Sequence, residues 1–193
     1  MHAKSLSIIR DEHQALAAML RSLGLLVARA QRDGKGLDFA LFRAMLFYVD
    51  EFPERLHHPK ESELLFPRLV RLAPEFAPVI ERLDRDHAVG ERSIRDLEHG
   101  LLAFEVMGES RRKAFEDSLE RYVRSYLEHM AIEEQQILPA AQRLFSAEDW
   151  RELDSAFEAN RDPLTGHAAD SEYLPLFQRI LSGAPAPIGL AGS

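Results

Sequence analysis

The chain has 193 residues, of which 46% are hydrophobic and 29% are charged, with a formal net charge of −8 and no cysteine. This composition suits one globular domain with a sizeable core, and the negative charge argues against nucleic acid as the main partner. Without cysteine, disulfides, thiolate metal sites and iron–sulfur clusters are excluded. The opening MHAKSLSIIRDEHQ has no apolar signal-peptide core, and no later run is long enough to span a membrane, so we expect a cytoplasmic protein.

Hydrophobic residues recur at steps of three and four through four long stretches, a spacing typical of amphipathic helices. Short turn-forming segments separate these stretches, among them the two-glycine sequence RDGKG at 32–36 and a turn at Gly108. Four long helices joined by short turns predict an all-α fold, an antiparallel up-down-up-down four-helix bundle. The predicted helices occupy about residues 6–30, 37–72, 76–104 and 115–140.

The residues after the fourth helix predict a helical extension with one or two short helices. Ser146 is a predicted N-cap for the helix AEDWRELDSAF, NRDPLTG at 160–166 predicts a turn, and DSEYLPLFQRIL at 170–181 predicts a last helix. The Pro- and Gly-rich tail GAPAPIGLAGS is expected to be extended or loose. We therefore divide the chain into a bundle at 1–145 and an extension with its tail at 146–193, packed on the same domain.

Two stretches of the chain repeat one pattern, LHHPKESELLFP at 56–67 and EHMAIEEQQILP at 128–139. In each, a Glu follows a His by four residues and a Pro follows that His by ten. The repeat predicts two related helical hairpins. Pro59 lies inside the second predicted helix, where a proline removes one hydrogen bond and costs about 3 kcal/mol, so we expect a kink there.

Ionisable side chains lie on the apolar faces of all four predicted helices. One His in such a place is usually a hydrogen-bonded core residue, whereas a buried carboxylate must be paired or bound to a metal. The positions midway between the polar residues of successive helices, 35, 73 and 109, all fall at or beside predicted turns. The side chains should therefore meet in one layer of the bundle, and they are His13, His57, Glu61, His87, His129 and Glu133.

The spacing of these residues favours a metal site. An imidazole and a carboxylate four residues apart share one helix face, so each His-x3-Glu pair can bind one ion or two neighbouring ions. Four imidazoles and two carboxylates suit two metal ions with both carboxylates bridging, and nitrogen and oxygen donors without thiolate favour Fe, Mn or Zn. The order and spacing differ from the Glu-x-x-His motif of ferritin-like di-iron proteins, so that class is excluded.

Over about residues 5–145 the chain resembles the hemerythrin-like (HHE cation-binding) domain proteins, of a bacterial type with a short C-terminal extension. The resemblance rests on the combined pattern H…HxxxE…H…HxxxE and on the phrases HHPKESELLFP and LDRDHAVGER. It implies a four-helix bundle that holds two Fe ions in an oxo- or hydroxo-bridged non-haem centre, with Mn or Zn as other possible metals. It also implies that the six residues named above are the ligands, with Glu61 and Glu133 as bridges.

The chain departs from the oxygen-carrying hemerythrins at Glu91, where those proteins have a second His in the third helix. This difference makes the two ions more alike and favours other roles over reversible oxygen storage. Glu91 is a candidate for an extra ligand or for a hydrogen-bond partner of an imidazole. His58 points about 100° away from His57 on an α-helix, so we expect a surface position or a place beside the ligands more than ligation. Tyr122 and Tyr126 share the stripe of His129, and we expect core positions with hydrogen-bonded hydroxyls rather than redox or gating roles.

Several other ionisable residues are expected to lie away from the layer. Glu63 and Glu134 should be solvated, and His99 should be exposed on its helix. His2 and His167 should lie in flexible or loop positions.

Three functions are compatible with these observations. The first is a di-iron protein that senses, binds or detoxifies O2, NO or reactive oxygen, or handles iron, in a stress response, with a small diatomic molecule or peroxide as ligand. The second is a di-iron enzyme for NO reduction, peroxide breakdown or iron–sulfur repair. The third is a structural bundle that binds zinc or no metal. We favour the first, with the second close behind, and expect a redox partner or a homodimer but neither nucleic acid nor a membrane.

Overall fold

The computed structural model describes residues 3–190, and within that range the chain forms helices joined by turns, with no strand. The first long helix, α1, covers Lys4–Asp33 and the third, α3, covers Ala77–Met107. The second, α2, and the fourth, α4, are continuous helical stretches over residues 39–72 and 112–144. The all-α prediction and the four long helices are confirmed. No helix in the described range combines the length and apolar character that a membrane span requires.

Short connections make successive helices antiparallel neighbours. Gly34 ends α1 in the left-handed conformation, with φ of 63°, and its N–H faces carbonyls of the last helical turn. Gly108, with φ of 76°, ends α3 and leads into a short 3-10 turn before α4. Both glycines adopt backbone angles that L side chains rarely tolerate, so the predicted turns at RDGKG and Gly108 are confirmed. In the bundle, α3 packs against α2 and α4, and α1 packs against α4.

Matching π-helical turns occur in α2 and α4, at Glu61–Leu65 and Glu133–Ile137. Two residues after each turn comes a proline, Pro67 or Pro139. A proline has no N–H, and its ring crowds the carbonyl four residues earlier, so the wider π spacing of the preceding turn relieves the clash. The repeat in the sequence is therefore also a structural repeat, and each π turn begins at one of the two glutamates predicted to bridge metal ions.

A further π-helical segment, Asp50–His57, contains Pro53, whose effect the sequence analysis did not anticipate. The N–H of His58 faces the carbonyl of Pro53, five residues back. Pro59 lies in the short α-helical segment that follows, His58–Lys60. The distortion expected at Pro59 takes the form of π turns on both sides of this segment, and the helix continues through it.

The extension forms the elements predicted from its sequence. Helix α5, Ala147–Phe157, begins at Ser146, whose side chain and that of Asp149 form a reciprocal capping box. A 3-10 turn follows at 163–165, and helix α6 covers Leu174–Gly183. Helix α5 packs on α1, and α6 packs on the first part of α2.

The tail is more ordered than expected as far as it is described. The N–H of Leu190 donates to the carbonyl of Leu181 at 3.0 Å, and that of Gly189 donates to Pro185 at 3.1 Å. These bonds fold the tail back onto the end of α6, so the expectation of a loose segment is wrong for residues up to 190.

Two hydrophobic clusters lie on either side of one polar layer. In α1, Ile9 belongs to one cluster and Leu16 to the other, with His13 between them. In α2, Leu65 and Phe52 flank the polar residues in the same way. Because apolar packing on both sides excludes water, polar groups in the layer must find partners inside the protein. The large cluster includes Leu20, Met45, Leu101 and Phe115, and the small cluster includes Leu69, Leu83, Ile137 and Trp150.

Gly90 marks a close approach of α3 to α4. A Cβ atom at this position would overlap the hydroxyl of Tyr126, which donates a hydrogen bond to the buried carboxylate of Glu54. Gly90→Ala should therefore displace Tyr126 and lower the free energy of unfolding by about 1–3 kcal/mol. Urea denaturation of metal-free protein measures this change. The control is Gly24→Ala in α1, where an added Cβ meets nothing within 4 Å and should stabilise by up to about 1 kcal/mol. Equal stabilisation by both would contradict the predicted clash.

Candidate metal centre

The structure brings the six predicted ligands together in the layer between the hydrophobic clusters. All six are buried, and the most exposed of them, His87, has a relative exposure of only 8%. Their donor atoms form overlapping groups in which all atoms lie within 4.8 Å of one another. The groups are His13, His57 and Glu61; then Glu61, His87, His129 and Glu133; and a third, His58, His87 and His129.

Glu61 stands between two imidazoles from different helices. Its Oε1 lies 3.2 Å from Nε2 of His57, on the same helix, and its Oε2 lies 3.6 Å from Nε2 of His87, on α3. Each oxygen of this carboxylate therefore faces a different imidazole. This is the arrangement that a carboxylate bridging two metal ions requires.

Glu133 has the equivalent position on the opposite side. Its Oε2 lies 3.3 Å from Nε2 of His13 on α1, and its Oε1 lies 3.2 Å from Nε2 of His129 on its own helix. The layer thus contains one imidazole pair, His13 with His57, and a second pair, His87 with His129. Each carboxylate directs one oxygen to each pair, and the Nε2 atoms of the second pair are 2.9 Å apart.

The imidazoles turn Nε2 into the layer and Nδ1 outward, toward oxygen atoms. An outer acceptor holds the proton on Nδ1 and leaves the lone pair of Nε2 free for a metal. His129 differs from the other three imidazoles, because its acceptor lies beyond hydrogen-bond distance. The acceptors are Glu134 for His13 at 3.2 Å, Glu12 for His57 at 2.6 Å and Ser62 for His87 at 2.9 Å, while Asp86 lies 3.7 Å from His129.

Buried polar atoms without partners are concentrated in this layer. Among the described residues, both oxygens of Glu61, both oxygens of Glu133 and Nε2 of His57 have no hydrogen-bond partner. The nitrogen–oxygen contacts around them are ion-pair distances without the alignment of a hydrogen bond. Two buried carboxylates this close together repel each other when both are ionised, and a bound cation would offset that repulsion. A donor set of imidazole nitrogen and carboxylate oxygen fits Fe, Mn or Zn.

Comparison with known families agrees with this geometry, since the model of the hemerythrin HHE cation binding domain matches residues 4–141. The chain belongs to this hemerythrin family. An uncharacterized protein of Haemophilus influenzae (strain ATCC 51907 / DSM 11121 / KW20 / Rd) is 28% identical over 106 residues, and the match covers 55% of this chain and 60% of that protein. This chain therefore spans less than two thirds of that relative's length. No solved structure matches the chain.

Protons are distributed unevenly over the imidazoles of this hemerythrin domain. Burial opposes protonation of His13, but the neighbouring carboxylates of Glu133 and Glu134 outweigh it and raise the pKa of His13 to about 9. Burial, together with nearby imidazoles, lowers the pKa of His58 and His87 well below the usual range. A metal at His13 would have to displace a proton at neutral pH, whereas His58 and His87 are ready to ligate.

His58 lies inside the protein beside the predicted ligands, which is the second of its two expected places, and not at the surface. The ring is 4% exposed and stacks on His87, with ring centroids 4.2 Å apart and planes 16° from parallel. Its Nδ1 contacts Glu54 at 3.0 Å, which leaves Nε2 for a metal. The estimate of 100° between neighbours assumed a regular α-helix. His57 instead ends a π-helical segment, whose wider turn lets two successive side chains face inward.

Tyr122 and Tyr126 are core residues with hydrogen-bonded hydroxyls, as expected. Both donate to Oε1 of Glu54, Tyr122 at 2.9 Å. Burial raises the pKa of both phenols, so they remain protonated donors. The tyrosines therefore hold Glu54, and Glu54 in turn holds His58. The sequence analysis missed Glu54, although its spacing of four residues before His58 was a usable signal.

Glu91 does not reach the layer, which contradicts its proposed role as an extra ligand. It is exposed and forms an ion pair with Arg95 at 2.6 Å. A step of four residues advances the helix by about 40° beyond a full turn, and this carries Glu91 from the edge occupied by His87 to the surface.

The remaining expectations concern residues outside the layer. Glu134 is exposed, as expected, and its Oε1 also contacts Nδ1 of His13 at 3.2 Å. Glu63, His99 and His167 are exposed, as expected. His2 lies outside the described residues.

Neutralising one of the facing carboxylates should stabilise the metal-free protein. Burial and the nearby charge of Glu133 raise the pKa of Glu61, so the ionised group is unfavourable there. Glu61→Gln replaces the charge with an amide that can donate to Glu133, and should increase the free energy of unfolding by about 1 kcal/mol or more. In a chain of this size, that raises the melting temperature by about 2–4 °C.

Thermal melts in the presence of a chelator measure this change. The control is Glu63→Gln, an exposed position in the same π turn, which should change the free energy of unfolding by less than about 0.5 kcal/mol. A lower melting temperature for metal-free Glu61→Gln would mean that the carboxylate is already well compensated in the protein.

Proposed function

We propose that this hemerythrin-family protein holds two non-haem iron ions in its polar layer and binds O2, NO or peroxide there, as part of an oxidative or nitrosative stress response. The observation that carries the proposal is the arrangement of Glu61 and Glu133. Each carboxylate directs one oxygen to each pair of imidazoles, and none of the four oxygens has a hydrogen-bond partner among the described residues. Such a layer is built for cations.

The proposed ligand set divides between two ions. His13 and His57 would hold one ion and His87 and His129 the other, with both carboxylates shared. Once bound, the iron pair would supply open coordination positions and exchangeable electrons for a small ligand. The protein contributes a dry site, because hydrophobic clusters cover the layer on both sides. It also contributes imidazoles whose orientation is held from outside.

A catalytic role in NO reduction or peroxide breakdown is the second candidate, and one feature favours it. A cavity of about 290 Å³ between α3 and α4 is lined in part by Tyr122, Tyr126 and His129. The two phenols donate to Glu54, which contacts His58 beside the proposed ions. This hydrogen-bonded chain runs from the cavity wall to the layer and would suit the delivery of protons that turnover requires. Sustained turnover would also need a redox partner.

Metal content is the first test of the proposed function. Protein purified without added metal should contain about two irons per chain, and NO added anaerobically should change its visible spectrum. His129→Ala should lose at least one iron, whereas His99→Ala, on the exposed face of α3, should retain both. Fast consumption of NO or peroxide that depends on His129 would select the enzyme over the binding protein. Zinc that iron cannot replace, or no metal, would overturn both.

His58 is proposed as an additional ligand on the side of His87 and His129. Its donor atom lies within 4.8 Å of theirs, and no comparable third imidazole joins His13 and His57 in the groups that the described residues form. His58→Gln should still bind two metal ions, but its affinity for one of them should fall by about tenfold or more. Competition with a chelator measures this affinity. Glu91→Gln, on the surface of α3, should change nothing. Unaltered affinity in His58→Gln would restrict His58 to packing.

A further inference from the structure

The C-terminal extension reaches the metal centre through one side chain, Asn160. This residue follows α5 and is 5% exposed. Its Nδ2 donates to Oε1 and Oε2 of Glu12 at 2.8 and 3.0 Å. The Oε2 atom of Glu12 also contacts Nδ1 of His57 at 2.6 Å. Asn160 is therefore two hydrogen bonds away from the inward Nε2 of His57, although it lies outside the segment 4–141 that matches the hemerythrin family.

The orientation of the Asn160 amide follows from its other partner. Its Oδ1 accepts a hydrogen bond from Nζ of Lys60, and an ammonium group can only donate. The oxygen must therefore face Lys60, which directs the NH2 group to Glu12. With Asn160 and His57 both donating, Glu12 is held from two sides as an acceptor. His57 then keeps its proton on Nδ1 and directs Nε2 into the layer as the atom that would bind a metal.

The backbone around Asn160 is anchored on both sides. The N–H of Asn160 donates to the carbonyl of Phe157 at 3.0 Å, at the end of α5. Two residues later, Asp162 accepts from the hydroxyl of Tyr48 at 2.6 Å and caps the 3-10 turn through Leu164 at 2.9 Å. Arg161 between them is exposed and has φ of 48°, a left-handed conformation between two inward-facing side chains.

The Asn160 amide leaves little room for water beside Glu12. The void left beside Glu12, His13, His57 and Asn160 is only about 10 Å³. A cavity needs at least about 10–15 Å³ to hold a single water molecule, which also requires two or more polar partners. A leucine of similar size at position 160 would keep this space filled and leave Glu12 without the amide donor.

We propose that Asn160 is a positioning residue for the metal centre: through Glu12 it orients His57, so that retention of the ion held by His13 and His57 depends on the Asn160 amide itself and not only on attachment of the extension. The proposal rests on the two-ion centre proposed above. The proposal predicts an effect only on the half of the site that contains His13 and His57. On the side of His87 and His129, no residue of the extension among 146–190 forms a hydrogen bond to the imidazoles or to their acceptors.

The rate at which a chelator removes iron distinguishes a positioning role of Asn160 from a role that only attaches the extension to the bundle. Asn160→Leu should release one of the two irons about 10- to 100-fold faster than the wild type and leave the other unchanged. The control is Leu153→Ala, which removes a fully buried side chain of α5 from the small cluster and should cost about 2–5 kcal/mol of stability. That control should melt at a lower temperature yet release both irons at wild-type rates.

A second variant keeps the shape of the side chain in case the leucine variant does not fold. Asn160→Asp places a carboxylate against Glu12 in place of the donor and should accelerate release of the same iron. Glu12→Gln should reproduce the effect, and combining it with Asn160→Leu should add little, because both act on His57. Equal release from Asn160→Leu and Leu153→Ala would overturn this proposal alone. A wild-type chain that does not hold two irons would overturn it together with the proposed function.

Discussion

The structure depends on two carboxylates that lie close together in a buried layer between hydrophobic clusters. Glu61 and Glu133 lie between hydrophobic clusters, and their four oxygens have no hydrogen-bond partner among residues 3–190. Such a pair is unfavourable by itself, because burial and mutual repulsion both oppose ionisation. The imidazoles compensate the two carboxylates unequally: His129 and His13 hold the pKa of Glu133 well below its usual value, whereas burial and the charge of Glu133 raise that of Glu61. A cation in the layer would offset this repulsion, and the chain belongs to a cation-binding family, the hemerythrin HHE family.

The hydrogen bonds around the layer determine which imidazole nitrogens face its interior. A neutral imidazole has one protonated nitrogen and one bare nitrogen, and its outer partner decides which is which. Carboxylates or a hydroxyl outside the layer contact Nδ1 of His13, His57, His58 and His87, so the Nε2 atoms of these imidazoles converge inside the layer. The layer is thus arranged for ligation at a cost in stability, which is the usual relation between a functional site and the fold that carries it.

The sequence analysis located the site but described its surroundings poorly. Spacing along each helix was enough to place His13, His57, His87 and His129 in one layer, because helix rise and turn position determine the level of a side chain. The spacing predicted less reliably the direction in which a side chain points from its helix axis. His58 faces inward because a π-helical segment ends beside it, and a regular α-helical count cannot anticipate that change. The prediction for Glu91 was wrong for a related reason. The step of four residues from His87 rotates Glu91 about the helix axis and out of the layer, where it pairs with Arg95.

What the sequence by itself determined was the helix periodicity, the turns, the capped extension and the repeated His-x3-Glu pairs, because each of these follows from contacts between residues close in the chain. Only the tertiary structure decided which groups hold the ligands in place. Glu12 and Asn160 are 148 positions apart, and the hydrogen bond between them exists because the extension folds back onto α1. No local sequence pattern predicts this hydrogen bond, since its donor and acceptor come within bonding distance only after the elements that carry them have packed.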